Sequence, residues 1–257
     1  LQIETAVSLW NFGHYRNVKS LPEELAVLKE LGYGVELWNT FPGEEDLFGE
    51  QKREWLRPVL DGMQVSVHTA LGNRWEVHCR QIDAAASWGA RVVVIHPSDL
   101  YSDEGRILDR GLAREVVAYG QERGVAVALE NGQLPFLVEA IKQVDGLRIC
   151  LDVGHIYLTS EPMSAFLDEL KSHLIHLHLQ EVAAPAEGKY AMAAGDHYEL
   201  GTGGVPIEDW CLLLTTLEEI DFAGMGVFEI RPRPPWQTAL RGSWFMADLA
   251  GKGRDGT

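Results

Sequence analysis

Residues 92–97 read VVVIHP, and residues 125–131 read VAVALEN. Each is a short apolar run that ends on a side chain able to hold a proton or a metal. Between them lies a helix-favouring stretch that closes at Gly124. A strand buried on both faces, a helix and another such strand form the repeating unit of a parallel sheet. Outward from this pair the unit recurs in both directions. Strands are expected at 3–9, 33–38, 63–68, 91–96, 124–130, 147–153, 174–180 and 224–230. Helices are expected near 21–31, 46–60, 74–88, 104–123, 134–144, 161–172, 206–220 and 235–250. Ser20 before Leu21, Pro22, Glu23 and Glu24 supplies a cap, a proline and first-turn acids to the first helix. Gly146 closes the fifth. Eight strand–helix units without a compositional break predict an α/β fold, a single (β/α)8 TIM barrel over residues 1–250, with a polar tail at 251–257. The length of 257 residues suits such a barrel, which typically takes about 250. A doubly wound open sheet is the runner-up, but no glycine fingerprint follows the first strand.

The formal net charge of −16 argues against a polyanionic partner, because nucleic-acid binding draws on Lys and Arg to neutralise phosphates. It argues equally against an anionic membrane surface. No apolar run reaches the length of a membrane span. The N-terminal LQIETAVSLW does not read as a signal peptide, and Cys79, Cys150 and Cys211 lack disulfide or zinc-ribbon spacing. A reducing, cytoplasmic setting is expected. A homo-oligomer is compatible with all of this.

Potential metal ligands recur at one end of successive strands. VSVHT carries His68, VVVIHP His96, VAVALEN Glu130, ICLDVGH Asp152 and His155, LIHLHLQ His176 and His178, and GVFEI Glu229. In an α/β barrel these C-terminal strand ends converge on one mouth. The two-residue period of a strand places small or apolar residues beneath each one: Val94 under His96, Ala128 under Glu130, Cys150 under Asp152, Val227 under Glu229. Carboxylates and imidazoles gathered in one dry space call for a cation. Mixed nitrogen and oxygen donors suit zinc, manganese or cobalt better than calcium. His14, His78 and His173 fall in a loop or on helices and read as structural. His176 is expected one layer below His178, supporting it. The long stretch 181–205 between the seventh strand and its helix reads as a functional loop.

Taken together, VELWN (Glu36), VHTA, VIHPSD, ALENG, LDVGH, IHLHLQE, DHYELGTGGV (His197) and FEI resemble the xylose isomerase-like barrel superfamily over essentially the whole chain. That superfamily includes sugar isomerases, sugar epimerases and the zinc-dependent apurinic-site endonucleases. The resemblance implies metal ligands at Glu130, Asp152, His178 and Glu229, as in the mononuclear epimerases. It implies further ligands at His68, His96, His155 and His197 if the site is trinuclear, as in the nucleases. There are departures. Where the nucleases carry an Asp two residues before the last His, this chain has Gly195, with Asp196 beside it. No basic, aromatic DNA-inserting loops are visible. The Arg that follows the seventh-strand His in the best-known ketose epimerases is absent from HLQEVAAPAEG, which offers Glu181.

The leading expectation is a divalent-metal-dependent isomerase or epimerase of carbohydrate metabolism. It would act on a sugar, polyol or hydroxy-keto acid through an enediolate, with Glu130 and Glu229 moving the proton. The cofactor is expected to be zinc or manganese, one to three ions per chain. Trp10, Phe12, Tyr15 and Trp38 are candidates to stack on a sugar face. Glu36, His155 and Arg231 are expected to join Trp10 and Trp38 around the substrate, Arg231 toward a carboxylate or phosphate. The alternatives are a multinuclear zinc hydrolase of the apurinic-site endonuclease type and a lyase or dehydratase on the same site.

Overall fold

A computed structural model describes residues 3–10, 12, 18–38, 47–68, 74–183, 195–231 and 233–254. Eight parallel strands close on themselves in chain order: β1 (Glu4–Ser8), β2 (Gly34–Trp38), β3 (Val65–His68), β4 (Val92–Ile95), β5 (Ala126–Glu130), β6 (Arg148–Asp152), β7 (Leu174–Leu179) and β8 (Met225–Phe228). β8 pairs back onto β1, with Val227 beside Ala6. This is the single (β/α)8 barrel that the strand pattern predicts. The helices are α1 (Leu21–Glu30), α2 (Glu50–Leu60), α3 (Trp75–Ser87), α4 (Arg110–Glu122), α5 (Leu134–Gln143), α6 (Val153–Ile156), α7 (Met163–Leu170), α8 (Ile207–Glu219) and α9 (Pro235–Arg254). Among the described residues, no helix is long and apolar enough to cross a membrane.

The main apolar core lies between strands and helices, with outward residues such as Val35, Val93, Leu129 and Leu177 packed on Leu25, Ile82 and Leu213. Inside the barrel the filling is apolar and, Met225 apart, small: Ala6, Met225 and Val227 in one cluster, Val94, Ala128 and Cys150 in another. These are the layers that parity places beneath the strand-end acids and imidazoles. Their small size leaves room above for charged side chains.

Some helix bounds differ from expectation, and one short helix is added. The fourth helix starts at Arg110, not near 104, because Asp109 caps it by accepting from the Leu112 N–H at 3.0 Å. The residues before it form a turn closed by an antiparallel bridge between Tyr101 and Leu108. A four-residue helix, α6, directly follows β6, begun by Asp152 accepting from the His155 N–H at 2.8 Å. The last helix runs on to Arg254, so the segment expected as a polar tail begins inside it. Gly124 and Gly146 close their helices at φ +71° and +81°, as helix-stopping glycines do.

Candidate metal centre

The strand ends bring the expected side chains to one mouth and bury them. Glu130, Asp152, His178 and Glu229 are each at most 2% exposed. One donor atom from each of His68, Glu130, His178 and Glu229 lies within 4.8 Å of the others. His178 Nδ1 stands 3.1 Å from Glu229 Oε2, and His68 Nε2 stands 3.0 Å from Glu130 Oε2. Glu130, Asp152 and His155 form a second group and His155, Asp196 and His197 a third, on the same distance criterion. Glu130 belongs to two of the groups and His155 to two, so the three are continuous. His96 completes the ring, its Nε2 3.5 Å from Glu130 Oε2.

The donor set fits a cation. His178 Nδ1 and Glu130 Oε1 are buried atoms without a hydrogen bond of proper geometry, although carboxylate and imidazole atoms crowd both. A buried polar atom left unpaired is costly, and a shared cation removes that cost at several such atoms together. The electrostatics agree. Burial would lower the His155 and His178 pKa values, but surrounding acids (Asp152 and Glu130 at His155, Glu36 and Glu229 at His178) raise both well above the ordinary imidazole range. Burial would raise Glu130, but the charge of the His155 imidazole, with His178 and His68 close by, holds it well below the usual carboxylate range. A field that loads protons onto buried imidazoles is a field that attracts a divalent ion.

Beneath the mouth a second layer orients the first. Glu36 is completely buried, one layer below Trp38. It is 3.1 Å from His178 Nε2 and 2.9 Å from His176 Nε2, and it accepts the Ser66 hydroxyl at 3.0 Å. Glu36 was expected at the substrate; it lies instead a layer below the mouth, against His176 and His178. His176 reaches His178 through this carboxylate. Gln180, which sequence reasoning passed over, donates its amide to both oxygens of Asp152 at 3.0 Å. Its signal was available: it continues the inward parity of His176 and His178. Asp196 also enters the site, its Oδ2 3.6 Å from His155 Nε2 and 3.8 Å from His197 Nε2. Hydrogen bonding from His155, with burial opposing, brings its pKa down to about 2. It is the acid next to Gly195, where the chain departs from the nuclease pattern. His197 sits at φ +59°, a conformation uncommon outside glycine. Its Nδ1 meets the Glu229 carbonyl at 3.0 Å, and its own carbonyl accepts from the Arg231 N–H at 2.8 Å.

The aromatic residues divide. Trp38 stacks on His68 with centroids 4.1 Å apart and donates its indole N–H to Ser8 Oγ at 3.0 Å. Trp10 lies 4.6 Å from the His197 ring, with the Arg231 guanidinium 5.2 Å from its own centroid. Both stand beside histidines of the mouth. Phe12, 1% exposed, belongs to the core and offers no platform. Tyr15 and His14 lie outside the described residues. Arg231 is 60% exposed and pairs with Asp196 at 3.6 Å. His78 is structural, as expected: it is buried on α3 against the Asp99 carbonyl at 3.1 Å.

The profile of the xylose isomerase-like TIM barrel family matches residues 25–248, and the chain belongs to that family. Comparison with curated proteins gives no match. Among solved structures, a D-tagatose 3-epimerase-like protein superposes with a TM-score of 0.76 at 19% identity, over 98% of this chain and 99% of that one. The IOLI protein with a bound zinc atom gives 0.73 at 14% identity, over 97% and 99%. An L-ribulose 3-epimerase gives 0.70 at 14% identity, over 99% and 96%. At these identities the likeness is one of fold.

Proposed function

We propose that this protein is a divalent-metal-dependent isomerase or epimerase acting on a sugar, polyol or hydroxy-keto acid through an enediolate. The observation that carries the proposal is the convergence of two buried carboxylates, Glu130 from β5 and Glu229 just past β8, on the same two histidines. Two acids reaching one point from separate strands can address opposite faces of a substrate carbon, one removing a proton and the other returning it. Glu130, Asp152, His178 and Glu229 would hold the ion. A cation there supplies Lewis acidity, polarising a substrate carbonyl and its adjacent hydroxyl. Gln180 keeps Asp152 turned toward the centre, and Glu36 keeps His178 so turned. Trp10 and Trp38 border the space. The neighbours with sugar-epimerase names support the same reading. The test is solvent exchange: in D2O with manganese, the protein should wash deuterium into the α-carbon of at least one ketose or hydroxy-keto acid of a broad panel. An occupied metal site with no exchange anywhere in the panel would sink the enediolate.

A second reading, a multinuclear zinc hydrolase, is favoured by one specific observation: Asp196 completes a donor group with His155 and His197 outside the four residues just named. Two or three zinc ions per chain would support it.

A further inference from the structure

The turn between β7 and α8 contains an anion cradle, and the chain fills it with its own carboxylate. Glu181 is 1% exposed. Its Oε1 accepts from the Gly201 N–H at 2.8 Å and from the Trp210 indole at 3.3 Å. Its Oε2 accepts from Gly203 at 2.8 Å, Gly204 at 3.0 Å and the Thr202 hydroxyl at 3.0 Å. Closely spaced backbone N–H groups converging on one anion are the means by which proteins hold phosphate. Gly201 and Gly203 adopt φ of +83° and +89° to aim those groups. At Gly204 a Cβ would stand 1.8 Å from the Val182 carbonyl, so the turn lies directly on the strand end.

The location gives this its meaning. In (β/α)8 barrels a substrate phosphate is frequently taken by the loops after strands seven and eight, together with a helix N-terminus there. The rest of that sector is also occupied by internal acids. Glu24 of α1 accepts from the Trp236 N–H at 2.7 Å, in the first turn of α9. Arg231 pairs with Asp196, and Arg233 and Arg241 both pair with Glu199.

We propose that the substrate is uncharged where it meets this sector, and that Glu181 is the residue that excludes a phosphate from it. The enzyme would then act on unphosphorylated ketoses or polyols and discriminate against their phosphate esters. An ester group arriving at the cradle would have to displace a buried carboxylate from five donors and leave two anions side by side. This substrate class rests on the isomerase reading above; the cradle itself does not.

Two measurements test it. In the first, thermal midpoints of metal-loaded wild type and Glu181→Ala are compared in inorganic phosphate and in chloride of equal ionic strength. The variant should be destabilised, and phosphate should return part of the loss, a shift of about 3 °C beyond any seen in wild type, as a ligand of the folded state does. An equal phosphate effect in both proteins, or none in either, overturns the cradle. If the variant does not fold, its refolding yield in phosphate against chloride gives the same readout. In the second, deuterium exchange by wild type is compared for ketoses and their phosphate esters. Exchange at least about tenfold faster from the free sugars, a difference of about 1.4 kcal/mol, is expected. Esters exchanging as fast or faster overturn the inference and leave the enediolate standing. Exchange from neither removes the enediolate, and the phosphate measurement alone then decides the cradle.

Discussion

Glu36 Oε1 stands 3.1 Å from His178 Nε2, across the imidazole from the Nδ1 that faces Glu229 at 3.1 Å. In the tautomer that satisfies Glu36, Nε2 carries the proton and Nδ1 presents its lone pair to the mouth. A carboxylate behind a histidine fixes the ring and raises its basicity as a ligand. Glu36→Gln keeps the shape but brings a donor where the two histidines need an acceptor. It should fold and bind metal about 10–100-fold more weakly, as read by chelator competition. Unchanged affinity would mean that packing alone orients the ring.

Glu130→Gln and Glu229→Gln should each keep the fold and lose about 10²-fold or more in the rate of proton exchange, the usual cost of removing general acid–base help. Circular dichroism checks the fold and stopped-time deuterium incorporation the rate. Retention of full exchange by either variant removes that residue from the proton path.

Metal number separates the two functional readings. If His155, Asp196 and His197 hold an ion of their own, native protein binds two or more per chain. Asp196→Ala should then lose one without disturbing the ion at Glu130. Elemental analysis of both proteins decides this; one ion in each leaves the mononuclear isomerase.

The charge of −16 predicts no measurable affinity for duplex DNA, intact or abasic, at physiological salt. A gel-shift titration checks it. Tight, salt-sensitive binding to an abasic duplex with metal-dependent strand cleavage would promote the hydrolase.

Glu24 links pH to the contact between α1 and α9. Burial raises its pKa, with the Trp236 N–H and the Lys19 charge working against the rise. An acid whose folded pKa exceeds its unfolded value of about 4.3 contributes stability fully below that value. The contribution is lost as pH climbs through the raised folded pKa. Glu24→Gln is free of this loss, so the midpoint of the variant minus that of wild type should grow from pH 4 to pH 7. A difference that shrinks over this range contradicts the assignment.

Strand existence and the ends of strands were legible because a two-residue period and a terminal polar side chain are local properties. All eight strands fall within the expected spans, and the acids and histidines at their ends share one mouth. Depth was not legible. Parity places both Glu36 and Trp38 on the inward face of β2, but only the stagger between strands sets Glu36 beside Ser66, a layer below Trp38 and His68. Asp196 was noticed beside Gly195, but its direction was not legible, because a residue on a long return loop has no period to fix it. The start of α4 shifted where Asp109 capped the backbone, and Asp152 began a short helix, α6, where none was expected, since such bonds compete with propensity at a single position.

Glu181 and Tyr198 exchange backbone hydrogen bonds, Glu181 N to Tyr198 O at 3.1 Å and Tyr198 N to Glu181 O at 2.9 Å. With Ala183 N bound to the Gly195 carbonyl at 2.9 Å, this makes a clasp that joins the two ends of the stretch 184–194. Closing a longer loop costs only about 0.6 kcal/mol for each doubling of length, and the clasp meets that cost without moving Asp196 or His197. Insertions between Ala183 and Gly195 should therefore cost little stability and leave Asp196 and His197 in place beyond the clasp.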